Sequence, residues 1–273
     1  MIDTHLHLFD PVAHAFSADA PYRPRPDEWA DWPALEALMD RHDITQGVLV
    51  APTAGYNLDV TALLTLLARA RPRLVGVARL AQTEPSSRFD TLSAQGVMGV
   101  RLDVQNDGHA AVLGPNASRL AQQCALRGWF VQVQAAAADW VAIAPVLRSW
   151  SMPIVIDHCG LPDTRAGLNQ PGFQAVLELA SSGRAWIKLS GAFRFSRQSW
   201  PHADTDPYAA ALLNTYGAHR CVWGSDWPFV RLPHRPAYAD VLQHLSRWVP
   251  DTVQRNAILN ASPLELMNMG RKG

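Results

Sequence analysis

Short apolar runs rich in β-branched residues alternate along the chain with longer segments in which apolar residues return every three or four positions. The short runs predict eight β-strands, and the longer segments predict helices between them. The predicted strands cover residues 2–8, 47–51, 74–80, 99–103, 130–134, 154–158, 185–190 and 221–225, and helical spacing is clear at 33–42, 57–72, 116–128, 137–150 and 170–183.

This strict alternation predicts parallel strands joined by helices, and eight such units in 273 residues suit a closed (β/α)8 TIM barrel. A doubly wound open sheet is the alternative. That fold places a glycine-rich phosphate loop after its first strand, whereas residues 9–33 contain no glycine. We therefore predict an α/β protein with one distorted TIM-barrel domain over residues 1–273.

A long connection rich in proline, aromatic and charged residues follows the first predicted strand. In a barrel, a segment at this position lies over the C-terminal ends of the strands, where such folds keep their sites. We expect residues 10–32 to form a lid-like insertion. The segments 193–208 and 227–238 follow strands seven and eight and line the same mouth.

The charge balance and the cysteines restrict the partners and the compartment. Lys and Arg together number 24, as do Asp and Glu, so no net field attracts nucleic acid or a membrane surface. Cys124, Cys159 and Cys221 are far apart and form no CxxC pair, which favours reduced thiols. With no secretory signal or membrane span, we expect a cytoplasmic protein, monomeric or homodimeric, that acts on a small molecule.

The first predicted strand carries two histidines, His5 and His7, one residue apart. Side chains two apart on a strand share a face, so both imidazoles point one way while Leu6 and Leu8 point the other. In a barrel the leucine face packs against helices and the histidines look inward. Two converging imidazoles bind a metal, polarise a carbonyl, or are merely hydrogen-bonded in a polar cavity.

Further polar residues lie where other predicted strands end. Asp157 and His158 close the sixth strand, and Asp226 follows the eighth. Alone, each is typical of a satisfied core polar group. Because strand ends converge in a closed barrel, together they predict one shared site at its C-terminal mouth.

These motifs resemble the amidohydrolase superfamily (amidohydrolase 2 type), in the branch of 2-pyrone-4,6-dicarboxylate hydrolase and sugar-acid lactonases. HxH on strand one, "DHCGLPD" at strand six and "WGSDWP" at strand eight carry the likeness, together with "APYRP", "GVRLD", "GLNQPGF" and "KLSGAFR". The resemblance covers nearly the whole chain. It implies a TIM barrel that hydrolyses a lactone or similar ester.

The resemblance also implies roles for individual residues. Asp226 matches the general base that takes a proton from water, and His5, His7 and His158 match groups that polarise the carbonyl directly or through a metal. Arg101 and Arg194 match positions that hold a substrate carboxylate, and Tyr22 matches a substrate contact on the lid. Gln134, at the end of strand five, is expected among the substrate-binding residues.

The chain departs from the metal-dependent members of this superfamily at two strand ends. Arg101 and Gln134 stand near positions where many of them have metal ligands, so a two-metal site is not expected. A single Zn²⁺ or Mn²⁺ held by His5, His7, His158 and Asp226 stays open, with Asp103 as a further carboxylate. The pyrone-dicarboxylate branch implies that no metal is required, and the sequence favours that reading.

A last departure concerns the substrate. Leu161 stands where pyrone-dicarboxylate hydrolases tend to carry arginine, so we expect a monoanionic or neutral lactone. Lys188, on strand seven, is expected to pair with an aspartate rather than form a Schiff base. Two alternatives to a lactonase stay open: a metal-dependent decarboxylase of the same superfamily, and a catalytically silent ligand-binding barrel.

Overall fold

The structure is a computed structural model that describes residues 1–269, so the last four residues of the predicted domain lie outside it. Eight parallel strands form one sheet in sequence order. They are β1 (Ile2–Leu6), β2 (Gln46–Val50), β3 (Leu74–Ala78), β4 (Val97–Asp103), β5 (Phe130–Gln134), β6 (Ile154–Ile156), β7 (Ala185–Lys188) and β8 (Cys221–Val222). The predicted (β/α)8 barrel is confirmed.

Helices connect these strands on the outside of the barrel. Within residues 1–269 they are α1 (Trp32–Arg41), α2 (Thr61–Ala70), α3 (Ser86–Ala94), α4 (Val104–Asp107), α5 (Ala110–Leu113), α6 (Ala117–Leu126), α7 (Asp139–Ser149), α8 (Pro171–Leu179), α9 (Ala192–Phe195), α10 (Asp206–Tyr216), α11 (Tyr238–Trp248), α12 (Thr252–Asn256) and α13 (Ser262–Asn268). No helix in this part of the chain is long and apolar enough to cross a membrane.

Several strands end earlier than their apolar pattern predicts. β1, β3, β6, β7 and β8 stop at Leu6, Ala78, Ile156, Lys188 and Val222. Beyond these points the chain stays buried but keeps only isolated main-chain hydrogen bonds, such as Asp157 N to Val133 O, so hydrophobicity alone does not mark the boundary. The residues released in this way, among them His7, His158 and Asp226, are those predicted to form the site.

The apolar core has two parts, one on each side of the strands. Leu6, Leu8 and other outward residues pack with the helices in the larger part. The smaller part lies inside the barrel, where Val48, Val75 and other inward residues contact Leu266 and Met267 of α13. This helix therefore covers the N-terminal end of the barrel.

An irregularity in β1 sets the direction of its histidines. Asp3 pairs with Gly47 and Leu6 with Leu49, so β1 contains one more residue than β2 between these pairs. Such a β-bulge changes which face the following side chains occupy. Ile2 accordingly packs inside the barrel, whereas Leu6 packs outside it and leaves the inward positions to the histidines.

Main-chain contacts between β1 and the segment after β8 close the barrel. Thr4 N donates to Trp223 O over 3.0 Å, and Asp226 N donates to His5 O over 2.9 Å. Gly224 permits this approach, because a Cβ atom there would lie 2.5 Å from His5 Cβ. The first and last strands thus bring His5 and Asp226 together.

The predicted lid segment, residues 10–32, crosses from β1 to α1. Phe9 and Ala30 form an antiparallel bridge at its base, and a 3₁₀ turn covers Pro26–Glu28. The Glu28 side chain is fully buried and accepts a 2.7 Å hydrogen bond from the main-chain N–H of Arg231. The segment therefore contacts the loop after β8, and its action as a lid stays a prediction.

Candidate active site

A cavity of about 220 Å³ opens among the loops at the C-terminal ends of the strands. Six of the eight predicted site residues line it: His7, Arg101, Gln134, His158, Arg194 and Asp226. His5 lies below it and is fully buried, while Tyr22 is outside the lining. The structure therefore brings together residues from six of the eight strands and the loops that follow them.

The two histidines of the first strand are in direct contact. Their Nε2 atoms are 3.2 Å apart, and His7 Nδ1 lies 2.8 Å from Val50 O. Because a carbonyl oxygen only accepts, Nδ1 of His7 carries the proton and its Nε2 is an acceptor. His5 therefore donates from Nε2 to His7.

A buried ion pair fixes the other side of His5. Lys188 Nζ lies 3.0 Å from both His5 Nδ1 and Asp157 Oδ1, and it also donates to Thr4 O. Burial alone would raise the pKa of Asp157, but Lys188 and then His5 hold that pKa well below its usual range. The expected pairing of Lys188 with an aspartate is thus present, and its ammonium group supports the tautomer of His5.

His158 is presented by an unusual turn after β6. His158, Cys159 and Leu161 have φ values of 48°, 56° and 46°, in the left-handed region that non-glycine residues avoid. A Cβ atom on Gly191 would lie 2.8 Å from His158 Nδ1, so only glycine fits there. Such strain is typical of functional sites, where the surrounding structure holds it in place.

Asp226 meets the three histidines and one arginine. Its Oδ1 lies 3.3 Å from His7 Nε2, its Oδ2 lies 3.9 Å from His158 Nε2, and Arg194 Nε donates to Oδ2 over 2.7 Å. Burial alone would raise the pKa of Asp226, but Arg194 and His158 hold that pKa well below its usual range. The carboxylate is therefore ionised at neutral pH.

The environment keeps two of the imidazoles neutral. Burial, reinforced by Lys188, lowers the pKa of His5 well below its usual range. Burial also lowers the pKa of His158 to about 4, although Asp226 opposes the shift. Neutral imidazoles are suited to donate or accept a hydrogen bond, or to bind a metal.

Arg101 and Gln134 form one side of the cavity. An Nη2 hydrogen of Arg101 is donated to Gln134 Oε1, and Arg101 Nε lies 3.4 Å from Asp157 Oδ2. Gln134 Nε2 donates to Gln105 Oε1 over 2.6 Å. Both side chains thus face the cavity with part of their hydrogen-bonding capacity in use, and their roles toward a substrate stay predictions.

Tyr22 is held against the loop that follows β8. Its hydroxyl donates to Glu28 Oε2 over 2.5 Å, and the Arg231 guanidinium lies 4.7 Å from its ring centroid. Arg231 lines the cavity, so Tyr22 contacts a lining residue without lining the cavity itself. Direct contact between Tyr22 and a substrate stays a prediction.

Two groups of side chains have the donor types of a metal site. Ligands of a tetrahedral zinc ion with bonds of ~2.0–2.2 Å lie roughly 3.3–3.6 Å apart. His5 Nε2, His7 Nε2 and Asp226 Oδ1 are separated by 3.2, 3.3 and 3.7 Å, close to the spacing of such an ion, which they could hold once His5 Nε2 has lost its proton. His5, Asp157 and His158 do not fit such an ion, because the Lys188 ammonium already lies 3.0 Å from the donor atoms of the first two.

Sequence reasoning did not identify several other residues around the cavity. Thr53 and Arg231 are two of them. Asp103, expected as a possible further carboxylate ligand, also lines the cavity, but it accepts hydrogen bonds from Thr53 and Asn106 and belongs to neither candidate ligand group. Arg231 follows "SDWPFV" in a predicted mouth loop, so its position after β8 was a usable signal. Thr53 follows β2 and has no motif that marks it.

Known proteins resemble this chain over its whole length. The 4-sulfomuconolactone hydrolase of Rhizobium radiobacter is 31% identical over 98% of this chain and 89% of its own length. A crystal structure from Acinetobacter baumannii, described as a probable 2-pyrone-4,6-dicarboxylic acid hydrolase with citric acid bound, is 30% identical and superposes with a TM-score of 0.88 over 98% of each chain.

A zinc-bound structure is also similar in fold. It is an amidohydrolase from Burkholderia multivorans, 22% identical, with a TM-score of 0.74 over 97% of this chain and 98% of its own. The profile of the amidohydrolase family matches residues 2–267. With the barrel and these full-length likenesses, the chain belongs to the amidohydrolase family.

Proposed function

We propose that this chain opens the ring of a small lactone that carries an acidic group, with Asp226 activating the attacking water. Its family and its full-length likeness to a sulfomuconolactone hydrolase make it a hydrolase that acts on a carboxylic ester bond. The observation that carries the finer proposal is the Asp226 carboxylate, which is buried, ionised and part of the cavity lining.

The proposed reaction begins with a water molecule beside Asp226. The carboxylate accepts a proton as the water oxygen attacks the carbonyl carbon of the lactone. The bond between that carbon and the ring oxygen then breaks, and the ring oxygen receives the proton from Asp226. The product is an open hydroxy acid, whose carboxyl group loses one proton to solvent at neutral pH.

His158 is placed to stabilise the developing oxyanion, whereas His7, whose Nδ1 proton is donated to Val50 O, would polarise the carbonyl only through a metal. With His158 Nδ1 accepting from the Ser190 hydroxyl 2.9 Å away, its Nε2 carries the proton and faces the cavity. If a zinc ion is held by His5, His7 and Asp226, it would supply Lewis-acid polarisation of the carbonyl. Arg101 and the remaining N–H groups of Arg194 orient the substrate carboxylate.

The size of the cavity supports a small substrate. At about 220 Å³ it is smaller than the ~300–1,000 Å³ of typical sites for drug-sized ligands. A single lactone ring with its substituents suits this volume, and a polymeric substrate does not.

The direct test is the Asp226→Asn variant, assayed by proton release into a pH indicator with a panel of aldonolactones and pyrone carboxylates. We expect kcat to fall about 10²- to 10⁴-fold, because the amide cannot accept the proton. Asp163→Asn, on the loop after β6 and outside the cavity lining, is the control and should keep wild-type turnover. Retained turnover in Asp226→Asn would refute the base assignment.

The same assay separates the alternatives. It is run on chelator-treated protein and after resupply of Zn²⁺ or Mn²⁺, and turnover without metal means that the histidines act on the carbonyl directly. Release of carbon dioxide instead of a proton would indicate a decarboxylase. Binding of a lactone without turnover would indicate a silent binding barrel.

A further inference from the structure

Three arginines line the cavity, but they differ in how many partners they already have. Arg194 donates to Asp226 Oδ2 and to Val230 O, each over 2.7 Å. Arg101 donates to Gln134 and lies near Asp157. Among residues 1–269, the guanidinium of Arg231 has neither a hydrogen bond nor an acidic group within ion-pair distance.

A hydrogen bond to the lid segment, residues 10–32, holds the main chain at Arg231. Its main-chain N–H donates to Glu28 Oε1 over 2.7 Å, and Tyr22 OH donates to Glu28 Oε2 over 2.5 Å. Glu28 also accepts from the main-chain N–H of Arg25 over 2.9 Å. One buried carboxylate therefore joins the lid segment to the loop after β8 and fixes the backbone from which Arg231 extends.

The Arg231 guanidinium lies over the Tyr22 ring. The Arg231 Cζ lies 4.7 Å from the ring centroid, a distance at which the cation is attracted to the ring face. Stacking on a ring uses the face of a guanidinium and leaves its in-plane N–H groups free. Those N–H groups have the fork geometry that matches a carboxylate or sulfonate.

We propose that Arg231 binds a second oxyanion substituent of the substrate and thereby determines specificity for dianionic lactones. Tyr22 acts as a positioning residue for Arg231. The inference rests on the proposed lactone hydrolysis and revises the expectation, drawn from Leu161, of a substrate with one negative charge or none. The cation missing at Leu161 is supplied from the opposite loop, on a residue that also lines the cavity.

The test compares Arg231→Gln with Arg23→Gln. Arg23 is an exposed arginine of the lid segment outside the cavity lining, so its variant removes the same charge without removing the contact. The substrates are 2-pyrone-4,6-dicarboxylate and 2-pyrone-6-carboxylate. We expect Arg231→Gln to raise KM for the dicarboxylate about 10- to 100-fold with kcat within about twofold, and to leave the monocarboxylate unchanged.

Equilibrium binding keeps this test separate from catalysis. Calorimetry on the Asp226→Asn protein measures Kd for both pyrones, and the dicarboxylate should bind more tightly only while Arg231 is present. Equal binding of the two pyrones, or equal loss in Arg231→Gln and Arg23→Gln, would overturn the proposal whether or not either compound is hydrolysed. Failure of turnover with this preference intact would instead refute only the proposed function.

Variants of Tyr22 test its positioning role. Tyr22→Phe keeps the ring under Arg231 and should keep most of the preference for the dicarboxylate, whereas Tyr22→Ala removes the stack and should lose it. A Tyr22→Phe protein as impaired as Tyr22→Ala would contradict this role. Thermal melts of both variants verify that they are folded.

Discussion

At the N-terminal end of the barrel the strands hold aliphatic side chains such as Val48 and Val75 against α13, whereas at the C-terminal end they hold buried charges. The first arrangement needs only complementary volume. The second needs a partner for each charge, as Lys188 provides for Asp157 and Arg194 for Asp226. One end is therefore held together by apolar packing and the other by charge pairing, within strands of two to seven residues.

We expect the largest loss of stability from Lys188→Met, which disrupts the charge pairing at the C-terminal end of the barrel. It leaves the fully buried Asp157 without its ammonium partner, which typically costs about 3–5 kcal/mol of unfolding free energy. Urea unfolding at pH 7 measures this loss. Lys188→Met combined with Asp157→Asn should recover part of it, since no unpaired charge is then buried.

The pH dependence of this loss provides its control. The native pKa of Asp157 is depressed, so its pairing contributes fully above the unfolded pKa of about 3.9 and is lost as pH falls through the native pKa. The difference between wild type and Lys188→Met should therefore shrink below about pH 4. A difference that is constant with pH would indicate a packing defect instead of an unpaired charge.

A smaller effect on stability, with none on activity, is expected at the opposite end of the barrel. Leu266→Ala removes a buried side chain of α13 from the inner core and should cost about 2–4 kcal/mol. Measured at a temperature where the variant is fully folded, kcat/KM should equal that of wild type. A fall in kcat/KM would show that the two ends are coupled.

The smallest predicted effect is a change in the pH dependence of kcat/KM, and it concerns the C-terminal end of the barrel. Arg194→Met removes the cation that lowers the pKa of Asp226, so this pKa rises and the base is protonated at higher pH. The acid limb of the kcat/KM profile should therefore move to higher pH than in the wild type. Arg197→Met removes an exposed arginine of the same segment and should leave the limb in place.

Sequence periodicity was sufficient for the barrel and for much of the candidate site. The alternation in β1 and the polar residues at the ends of β6 and β8 identify His5, His7, His158 and Asp226, because strand ends in a closed barrel converge. The pairing of Lys188 with an aspartate was likewise expected from its place on β7. These inferences need only strand geometry and the order of the elements.

Other features depend on contacts between distant segments and leave no local pattern. The bulge in β1 is defined by its pairing with β2, and the left-handed turn at His158 is defined by packing against Gly191. Glu28 looks like an ordinary acidic loop residue until the structure shows it joining Tyr22 to the loop of Arg231. The sequence did not identify Arg231 as a cavity residue, because a charged side chain in a loop is usually exposed to solvent.

The closure of the barrel by its first and last strands has a consequence for synthesis of the protein. The Ser225 main-chain N–H donates to Asp3 across 222 residues of sequence, next to the contact between Asp226 and His5. A nascent chain that ends before β8 has the histidines but lacks both Asp226 and the strand that encloses them. With Asp226 as the proposed base, we expect activity to arise only after the final strand has left the ribosome and docked, and incomplete translation products to be inert.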